Sequence, residues 1–429
     1  MRHFGLMAFA AVWLQSGLLP GGPVRATAAG PIQPLPWPQW RGPTRDGLVT
    51  GANWPSSLDE RHLSRQWRVG IAEGYSGPIV SRGRVFTVET KSGRDEIVRA
   101  FERHTGKEVW STKWAGSNRV PFFAWRNGSW VRSTPAFDGE RLYVAGMRDV
   151  LVCLEARTGK EVWRLDFVKQ FGTPLPSFGF VASPLVLGDH VYVQAGASFV
   201  KLDKRTGKVV WRALKDAGGM YGSAFSSPFA ATVAGRWQLL VQTRSVLAGV
   251  SETDGKVLWS RPIKAFRGMN ILTPVTSGDR VFTSSYGGGS VALDIKAEPA
   301  DGLGAEVAWK TKVQGYMCTP VVISEHAYLL LRNKRLTCVD LRTGRETWPD
   351  CERFGQYMSL ASDGRLILGL DQRGELVMFR AAPTKFELLG RRKVARQETW
   401  AHLAVAGNQL FVRELKAISC WRWAAPGGR

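Results

Sequence analysis

The sequence predicts an all-β protein, an eight-bladed β-propeller with four antiparallel strands in each blade. A segment with the pattern Thr-Gly-Lys followed by Trp recurs along the chain, as in RTGKEVW, which ends at Trp163. A small residue followed by proline precedes most of the repeats, and Asp-Gly or similar turns separate short apolar runs. Units of four short strands that repeat every ~40–50 residues are typical of propeller blades.

The Thr-Gly-Lys segment is predicted to be a hairpin turn rather than a nucleotide loop. A P-loop needs a glycine about five residues before its Gly-Lys pair and a hydroxyl residue after the lysine. Leu154 and Glu161 occupy those positions here. We therefore expect Gly159 to adopt a positive φ between the third and fourth strands, with Lys160 exposed. The tryptophans that end the repeats are expected to dock between blades, and they are Trp67, Trp110, Trp163, Trp211, Trp259, Trp309 and Trp348.

Within each unit, the first strand follows a proline and the other three follow in order. The stretch PAFDGERLYVAG contains the first two strands of one unit, joined at Asp138-Gly139, and VLVCLEA supplies the third. The fourth strand of that unit ends at Trp163. The prolines that mark the inner strands are Pro78, Pro135, Pro184, Pro228, Pro274 and Pro320.

Counting these units predicts eight blades in one domain over residues 63–424. Six blades end at a tryptophan, and a seventh is degenerate, with Leu389 near the expected tryptophan position. Residues 402–422 supply only three strands. The N-terminal strand LSRQWRV, residues 63–69, is predicted to complete the eighth blade and close the ring, which removes open sheet edges.

The ends of the chain are predicted to lie outside the propeller. Residues 1–28 read as a signal peptide, because a basic start and an apolar run precede Ala26-Thr27-Ala28, and we expect cleavage after Ala28. A membrane anchor is the alternative, although the apolar run is shorter than the ~20 residues of a span. Residues 29–62 are predicted to form a Pro/Gly-rich arm packed across the propeller, and residues 425–429 a tail. A periplasmic or secreted protein is therefore expected.

The five cysteines are not adjacent to one another and contain no C-x-x-C. Cys153, Cys338 and Cys420 lie in apolar runs and are expected to be buried thiols. In an exported protein, a bridge from Cys318 to Cys338 or to Cys351 is an open alternative.

The repeat resembles the tryptophan-docking motif of the pyrroloquinoline quinone (PQQ) propeller superfamily. The resemblance rests on the pattern A/C-x-L/D-x-x-T-G-K-x-x-W and covers about residues 63–422. That superfamily contains the PQQ-dependent alcohol dehydrogenases and the BamB outer-membrane assembly lipoprotein, both eight-bladed. The lead-in WPQWRGPTRDG, Trp37 to Gly47, is similar to a segment before the propeller in many bacterial PQQ-like repeat proteins.

The resemblance leaves two functions open. A quinoprotein dehydrogenase would bind PQQ with Ca²⁺ and oxidise an alcohol or a sugar, but those enzymes carry an adjacent cysteine pair that this chain lacks. The six histidines are scattered without metal-ligand spacing, and no catalytic residue is predicted. The preferred interpretation is a non-catalytic, BamB-like binding scaffold without a cofactor. No cysteine stands at the signal junction to carry a lipid, so membrane association is not expected, and we expect a monomer.

The charge suggests where a partner binds. The chain has 58 Lys+Arg against 36 Asp+Glu, a net charge of +22. Loops predicted to lie on the funnel face, where the inner strands begin, have an excess of basic residues, whereas the opposite turns are near balance. A concave surface of one sign concentrates its field, so an anionic or glycan-like partner or a protein segment is expected there. Nucleic acid is not, because the chain is exported. Solvated cations and aromatic side chains packed between blades are the alternative. The candidate binding residues are Tyr75, Arg119, Trp125, Arg126, Trp130, Arg132, Phe225, Arg267, Tyr316, Tyr357 and Trp400.

Overall fold

The computed structural model describes residues 36–49, 54–218, 224–299, 302–348 and 351–424, without the side chain of Arg126. The predicted signal peptide, the start of the arm and the tail at 425–429 lie outside these residues. The described chain forms eight antiparallel sheets, each built from strands in chain order except at the ring closure. This confirms the predicted all-β, eight-bladed propeller.

The first strand and the first three blades cover the first half of the propeller. The closing strand is β1 (Leu63–Gly70). Blade one contains β2 (Ile79–Val80), β3 (Arg84–Lys91), β4 (Asp95–Glu102) and β5 (Glu108–Ala115). Blade two contains β6 (Ala136–Phe137), β7 (Arg141–Gly146), β8 (Val150–Glu155) and β9 (Glu161–Asp166). Blade three contains β10 (Leu185–Leu187), β11 (His190–Ala195), β12 (Ser198–Asp203) and β13 (Val209–Ala213).

The remaining blades follow the same order. Blade four contains β14 (Phe229–Val233), β15 (Arg236–Gln242), β16 (Val246–Val250) and β17 (Val257–Pro262). Blade five contains β18 (Val275–Ser277), β19 (Arg280–Ser285), β20 (Gly289–Glu298) and β21 (Gly302–Thr311). Blade six contains β22 (Val321–Ile323), β23 (His326–Leu330) and β24 (Leu336–Asp340). Blade seven contains β25 (Met358–Ser362), β26 (Leu366–Asp371), β27 (Glu375–Arg380) and β28 (Leu388–Lys393). Blade eight contains β29 (Ala404–Ala406), β30 (Gln409–Glu414) and β31 (Ala417–Trp423).

The N-terminal strand closes the ring as predicted. β1 pairs antiparallel with β31, from Leu63 opposite Trp423 to Gly70 opposite Ala417. Arg68 on β1 forms an ion pair of 2.7 Å with the buried Glu414 on β30. The two ends of the propeller are therefore joined by backbone pairing and by charge.

Blade six has a reduced outer strand. Where a fourth strand was expected, the described residues form an isolated bridge between Val339 and Glu346, and Thr347 donates from its N–H and its hydroxyl to the Cys338 carbonyl. Pro349 follows Trp348 in the sequence, and proline cannot donate to a strand ladder. Trp348 is nonetheless buried, and its Nε1 donates to the Ala382 carbonyl of blade seven.

Within the described ranges, three short helices lie in the connections. α1 (Phe167–Phe171) follows β9, where the Asp166 side chain caps it by accepting from the Lys169 N–H. The 3-10 helices span Phe122–Asn127 and Phe266–Gly268. Among the described residues, no helix is both long enough and apolar enough to span a bilayer.

The glycine of each Thr-Gly-Lys turn leaves room for the tryptophan ring of the preceding blade. Gly159 has a φ of +77°, and a Cβ there would lie 2.5 Å from the Trp110 ring of the preceding blade. The Trp110 Nε1 also donates to the Ala156 carbonyl of the same hairpin, at 3.1 Å. The same docking onto the next blade's turn glycine is made by Trp67, Trp163, Trp211 and Trp309.

Trp259 differs from the other docking tryptophans. Its Nε1 donates to Gln238 Oε1 of its own blade at 2.6 Å, and its ring lies against Gly249. The next blade has a long β20–β21 hairpin in place of a Thr-Gly-Lys turn, so no matching glycine receives this ring.

The inner strands are joined by a chain of hydroxyl groups, here called the hydroxyl belt. In each link, the backbone N–H of the residue before the inner-strand proline donates to a Ser or Thr side chain at the same position of the next blade. The links are Gly77 to Thr134, Thr134 to Ser183, Ser183 to Ser227, Ser227 to Thr273 and Thr273 to Thr319, at 2.9–3.1 Å. The small residue before each proline therefore connects six successive blades around the central channel.

All five cysteines are buried free thiols. The alternative of a bridge from Cys318 to Cys338 or Cys351 is therefore wrong for this fold. Burial raises the pKa of Cys318, Cys338 and Cys351 to about 11, so these thiols are neutral and poorly reactive.

Candidate binding funnel

A central funnel opens where the inner strands begin. Its cavity of about 210 Å³ is lined by residues from all eight blades and by Trp40 of the N-terminal arm. Several of the lining residues stand three positions before an inner-strand proline, because each chain enters the funnel there before turning down its inner strand. Those residues are Tyr75, Arg132, Val181, Phe225, Ile271 and Met317.

The arm closes the inner end of the funnel. The Trp37 N–H and carbonyl pair with Val80 of blade one at 2.8 and 2.7 Å, and the Val49 N–H donates to Ser362 of blade seven. Between these anchors, the Trp40 ring lines the funnel and lies edge-on to His402, with centroids 6.0 Å apart. The arm therefore crosses the channel and gives the funnel an aromatic floor.

One wall of the funnel is the Trp400 cluster, which consists of Tyr75, Trp130, Tyr357 and Trp400. Tyr357 and Trp400 are stacked, with centroids 5.9 Å apart and an interplanar angle of 20°. Tyr75 lies 5.8 Å from Trp400 and 5.6 Å from Trp130. Burial raises the pKa of Tyr75 to about 12, so its hydroxyl is neutral at physiological pH. The wall combines flat rings with hydroxyl groups that can donate or accept hydrogen bonds.

The opposite side carries the Phe178 cluster, which consists of Phe122, Phe123, Phe178 and Phe225. Phe178 contacts Phe225 and Phe123, with centroids 5.4 and 6.3 Å apart. Phe123 comes from the loop between blades one and two. The same loop leaves Phe122 76% exposed and Trp125 68% exposed at the rim. Large exposed aromatic side chains beside a cavity are typical of recognition surfaces.

Arg132 is the charged side chain of the funnel lining. Its guanidinium donates to the carbonyls of Trp130, Asn127 and Gly128 at 2.6–3.0 Å and lies 5.9 Å from the Tyr75 ring centroid. Burial lowers its pKa to about 10, so it remains cationic at neutral pH. Arg132 therefore holds the loop before it in place and also gives the funnel a positive wall.

The predicted site residues fall into three groups. Those that line the funnel are Tyr75, Arg132, Phe225, Tyr316, Tyr357 and Trp400, and Trp130 packs behind Tyr75. Arg119, Trp125 and Arg267 are exposed around the rim, where Arg267 lies over the Phe123 and Phe266 rings. The side chain of Arg126 lies outside the described part of the chain.

Sequence reasoning missed Trp40, Phe178, Tyr286 and His402. Tyr286 contacts Tyr316 at 5.3 Å and Arg332 at 4.1 Å, at the rim between blades five and six. The sequence position three residues before each inner-strand proline could have predicted which residues line the funnel. No comparable local signal marked Trp40, because the arm reaches the funnel only through its tertiary path.

The funnel lining suits binding better than catalysis by a bound metal. None of the side chains that line the cavity is a carboxylate, and Ca²⁺ prefers carboxylate and carbonyl oxygens. Within the described ranges, no group of three His, Cys, Asp or Glu residues could hold a metal. His402 donates from Nδ1 to the Leu403 carbonyl, and burial lowers its pKa to about 3, so it is neutral. The absence of PQQ itself stays a prediction.

Comparison with known proteins assigns the chain to a family. The family profile described as outer membrane protein assembly factor BamB matches residues 94–350. The chain belongs to the BamB family. It is 24% identical to BamB of Yersinia pestis over 296 residues, which are 64% of this chain and 68% of that protein. It is 23% identical to BamB of Moranella endobia over 262 residues, which are 57% of this chain and 63% of that one.

A solved structure agrees with the fold. BamB from Moraxella catarrhalis superposes with a TM-score of 0.60 at 14% identity, covering 84% of this chain and all of that chain. At this identity the likeness concerns the propeller architecture alone. A non-catalytic propeller scaffold is what membership of the BamB family supports.

Proposed function

We propose that this BamB-family propeller is an exported binding scaffold whose funnel holds an extended, acidic segment of a protein partner. The observation that carries the proposal is the funnel lining: aromatic rings from most of the blades, one guanidinium and no carboxylate. Family membership supports a protein partner, since the relatives are assembly factors of outer membrane proteins. Periplasmic localisation is part of this proposal.

The size of the funnel limits what enters it. A cavity of about 210 Å³ accommodates a few side chains rather than a folded domain. Rigid aromatic rings bury apolar area on a ligand with little loss of side-chain entropy. The Trp400 and Phe178 clusters therefore provide flat contacts on two sides of a narrow segment.

The charge around the funnel favours an acidic segment. Arg119, Lys264 and Arg267 are exposed at the rim, and Arg132 is cationic in the wall. Complementary charge raises association rates and discriminates against basic partners. A glycan would use the same rings by stacking but would gain less from the cations unless it were itself acidic.

Binding of matched peptides tests the proposal. Acidic, neutral and basic peptides of equal length and aromatic content, together with neutral oligosaccharides, are titrated against the full chain by calorimetry. We expect the acidic peptides to bind most tightly and to weaken with salt, because surface charges are screened. Preference for the neutral glycan, or equal affinity for acidic and basic peptides, contradicts the proposal.

Two variants, each with its own control, locate the binding. Phe225→Ala with Tyr316→Ala removes two rings of the lining, whereas Trp237→Ala removes a ring that is 52% exposed on β15. Replacing Arg119, Lys264 and Arg267 with Ala removes three rim cations, whereas replacing Lys107, Lys160 and Lys208 removes three exposed cations from the opposite hairpins. Only the funnel and rim variants are expected to weaken the acidic peptide. Equal losses in the controls would show that net charge alone matters.

A further inference from the structure

Two arginines of the arm are completely buried beneath the funnel. Arg41 is 0% exposed and Arg45 2% exposed. Arg41 donates through Nη2 to the carbonyls of Pro320, at 2.6 Å, and Asp46. Arg45 donates to the carbonyls of Pro184 and Ser183 at 2.7 and 3.1 Å. The guanidiniums thus reach the inner strands of blades six and three, and these acceptors are neutral.

Of the two, only Arg41 is attracted by a carboxylate in the described part of the chain, that of Asp46, and it forms no salt bridge with it. Within the described residues, neither arginine forms a salt bridge, and the Asp46 carboxylate instead accepts from Thr44 and the Leu48 N–H. Burial lowers the pKa of Arg41 to about 10. Burial together with the charge of Arg41 lowers the pKa of Arg45 to about 9. Both groups remain protonated at neutral pH, so two like charges lie in a dry region with Asp46 as the one nearby carboxylate among the described residues, which is unfavourable.

The same two guanidiniums have hydrogen-bond donors without acceptors. Arg41 Nε and Nη1 and Arg45 Nε are buried and have no hydrogen-bond partner among the described residues. Both guanidiniums lie against one indole, 5.5 and 5.4 Å from the Trp40 ring centroid. Unpaired donors and an excess of positive charge therefore occur together at the floor of the funnel.

We propose that Arg41 and Arg45 hold one small monovalent anion at this floor, with the chemistry of a chloride ion or a carboxylate group. A water molecule would accept the free N–H groups but would leave an excess of positive charge buried. Because both side chains are enclosed, a ligand larger than a small ion would not reach them. The site goes beyond the proposed function, since it needs no protein partner and lies on the arm beneath the funnel cavity.

Thermal unfolding of the full chain tests the site without knowledge of its natural occupant. Chloride, bromide and acetate are each titrated from about 1 to 300 mM, with ionic strength held constant by the bulky HEPES anion. A ligand that binds only the folded state raises Tm with the logarithm of its concentration, here by a few degrees. Stabilisation by chloride and bromide alone identifies an inorganic ion, whereas equal stabilisation by acetate identifies a site that also accepts a carboxylate.

A matched pair of variants separates the site from general salt effects. Arg45→Met is expected to lose the anion dependence of Tm. Arg103→Met removes another buried guanidinium, which donates to Gln409 and the Ala406 carbonyl, and is expected to keep that dependence. The same anion response in both variants, or none in the native chain, would overturn the proposal.

Crystals of the unmodified protein grown in bromide give a readout that does not depend on a variant folding. The proposal expects an anomalous peak within hydrogen-bond distance of Arg41 Nε or Nη1, or of Arg45 Nε. Density there that contains water alone sinks the anion site.

Discussion

At the residue scale, the turn glycines have a steric role as well as a conformational one. Gly159→Ala would place a Cβ 2.5 Å from the Trp110 ring at a φ of +77°. The positive φ alone costs about 1 kcal/mol, and forced displacement of a packed ring adds about 1–3 kcal/mol. We expect urea unfolding to report a loss of about 3 kcal/mol.

The control for this prediction is Gly93→Ala. Gly93 has a φ of +59° but open space around it, so Gly93→Ala should lower the free energy of unfolding by about 1 kcal/mol. Lys160, adjacent to Gly159, is exposed, and Lys160→Ala should change stability by less than about 0.5 kcal/mol. If the two glycine variants lost the same stability, the absence of a Cβ at Gly159 would not be what lets the Trp110 ring pack there.

A second residue-scale prediction concerns pH. Glu96 on β4 accepts hydrogen bonds from Trp114 Nε1 at 2.7 Å and from the Met147 N–H at 2.6 Å. Burial raises its pKa to about 7 from the ordinary value of 4.5, against the lowering effect of those bonds. Below pH 4.5 both folded and unfolded states carry the proton. Between pH 4.5 and 7 the unfolded state loses it first, so stability falls as pH rises, by up to about 3 kcal/mol.

Glu96→Gln isolates this contribution, because other carboxyl groups titrate as well. Burial also raises the pKa of Asp149 to about 7. Burial alone would raise the pKa of Glu414 as well, but its bonds with Arg68 and with backbone N–H groups lower it overall. The free energy of unfolding of the native chain minus that of the variant should therefore fall as pH rises from 4.5 to 7. Thermal midpoints measured at pH 5 and pH 8 check this, and parallel pH profiles would contradict it.

At the element scale, the hydroxyl belt links inner strands that are only two to five residues long. Ser227→Ala removes the acceptor of the Ser183 N–H, which now donates to it at 2.9 Å. A buried N–H left without a partner costs about 1–3 kcal/mol. We expect a loss of that size, with faster hydrogen exchange at the Ser183 amide. Ser227→Thr should retain stability, because threonine fills the matching position at 134, 273 and 319.

The neighbouring residue provides the control. Ser226 is also buried, but its Oγ has no hydrogen-bond partner in the described part of the chain, so Ser226→Ala should leave stability unchanged or raise it slightly. If Ser226→Ala lost as much stability as Ser227→Ala, the hydroxyl belt would not explain the effect of Ser227→Ala.

The same scale shows which features the sequence could predict. Proline, turn glycine and tryptophan recur at fixed places in a blade, so the strand order and the blade count followed from local patterns. The reduced outer strand of blade six and the packing of Trp259 within its own blade depend on neighbouring segments. A repeat pattern does not specify those contacts. The funnel lining was predictable only in part, because Trp40 comes from the arm and Phe178 from a connection between blades, both outside the repeat.

At the whole-molecule scale, closure depends on one strand from the far end of the chain. β1 pairs with β31 along its full length, and Trp67 on β1 packs against Phe101 of blade one and Phe411 of blade eight. Blade eight otherwise holds three strands and would leave an open edge. The arm adds further links, since it pairs with blades one and seven across the channel. Closure of the ring therefore depends on contacts between residues about 350 positions apart in the sequence.

A cross-link at the closure tests this dependence. Ser64 on β1 lies directly opposite Arg422 on β31, and antiparallel partners have Cα separations that a disulfide can bridge. In a chain with Ser64→Cys and Arg422→Cys, the five native thiols are buried and should not compete. We expect the bond to form under mild oxidation and to raise Tm by several degrees, since it closes a very long loop in the unfolded chain. Reduction should restore the original midpoint, and each single variant should show no redox dependence. If the oxidised double variant failed to cross-link while folded, β1 would not be the strand that completes blade eight.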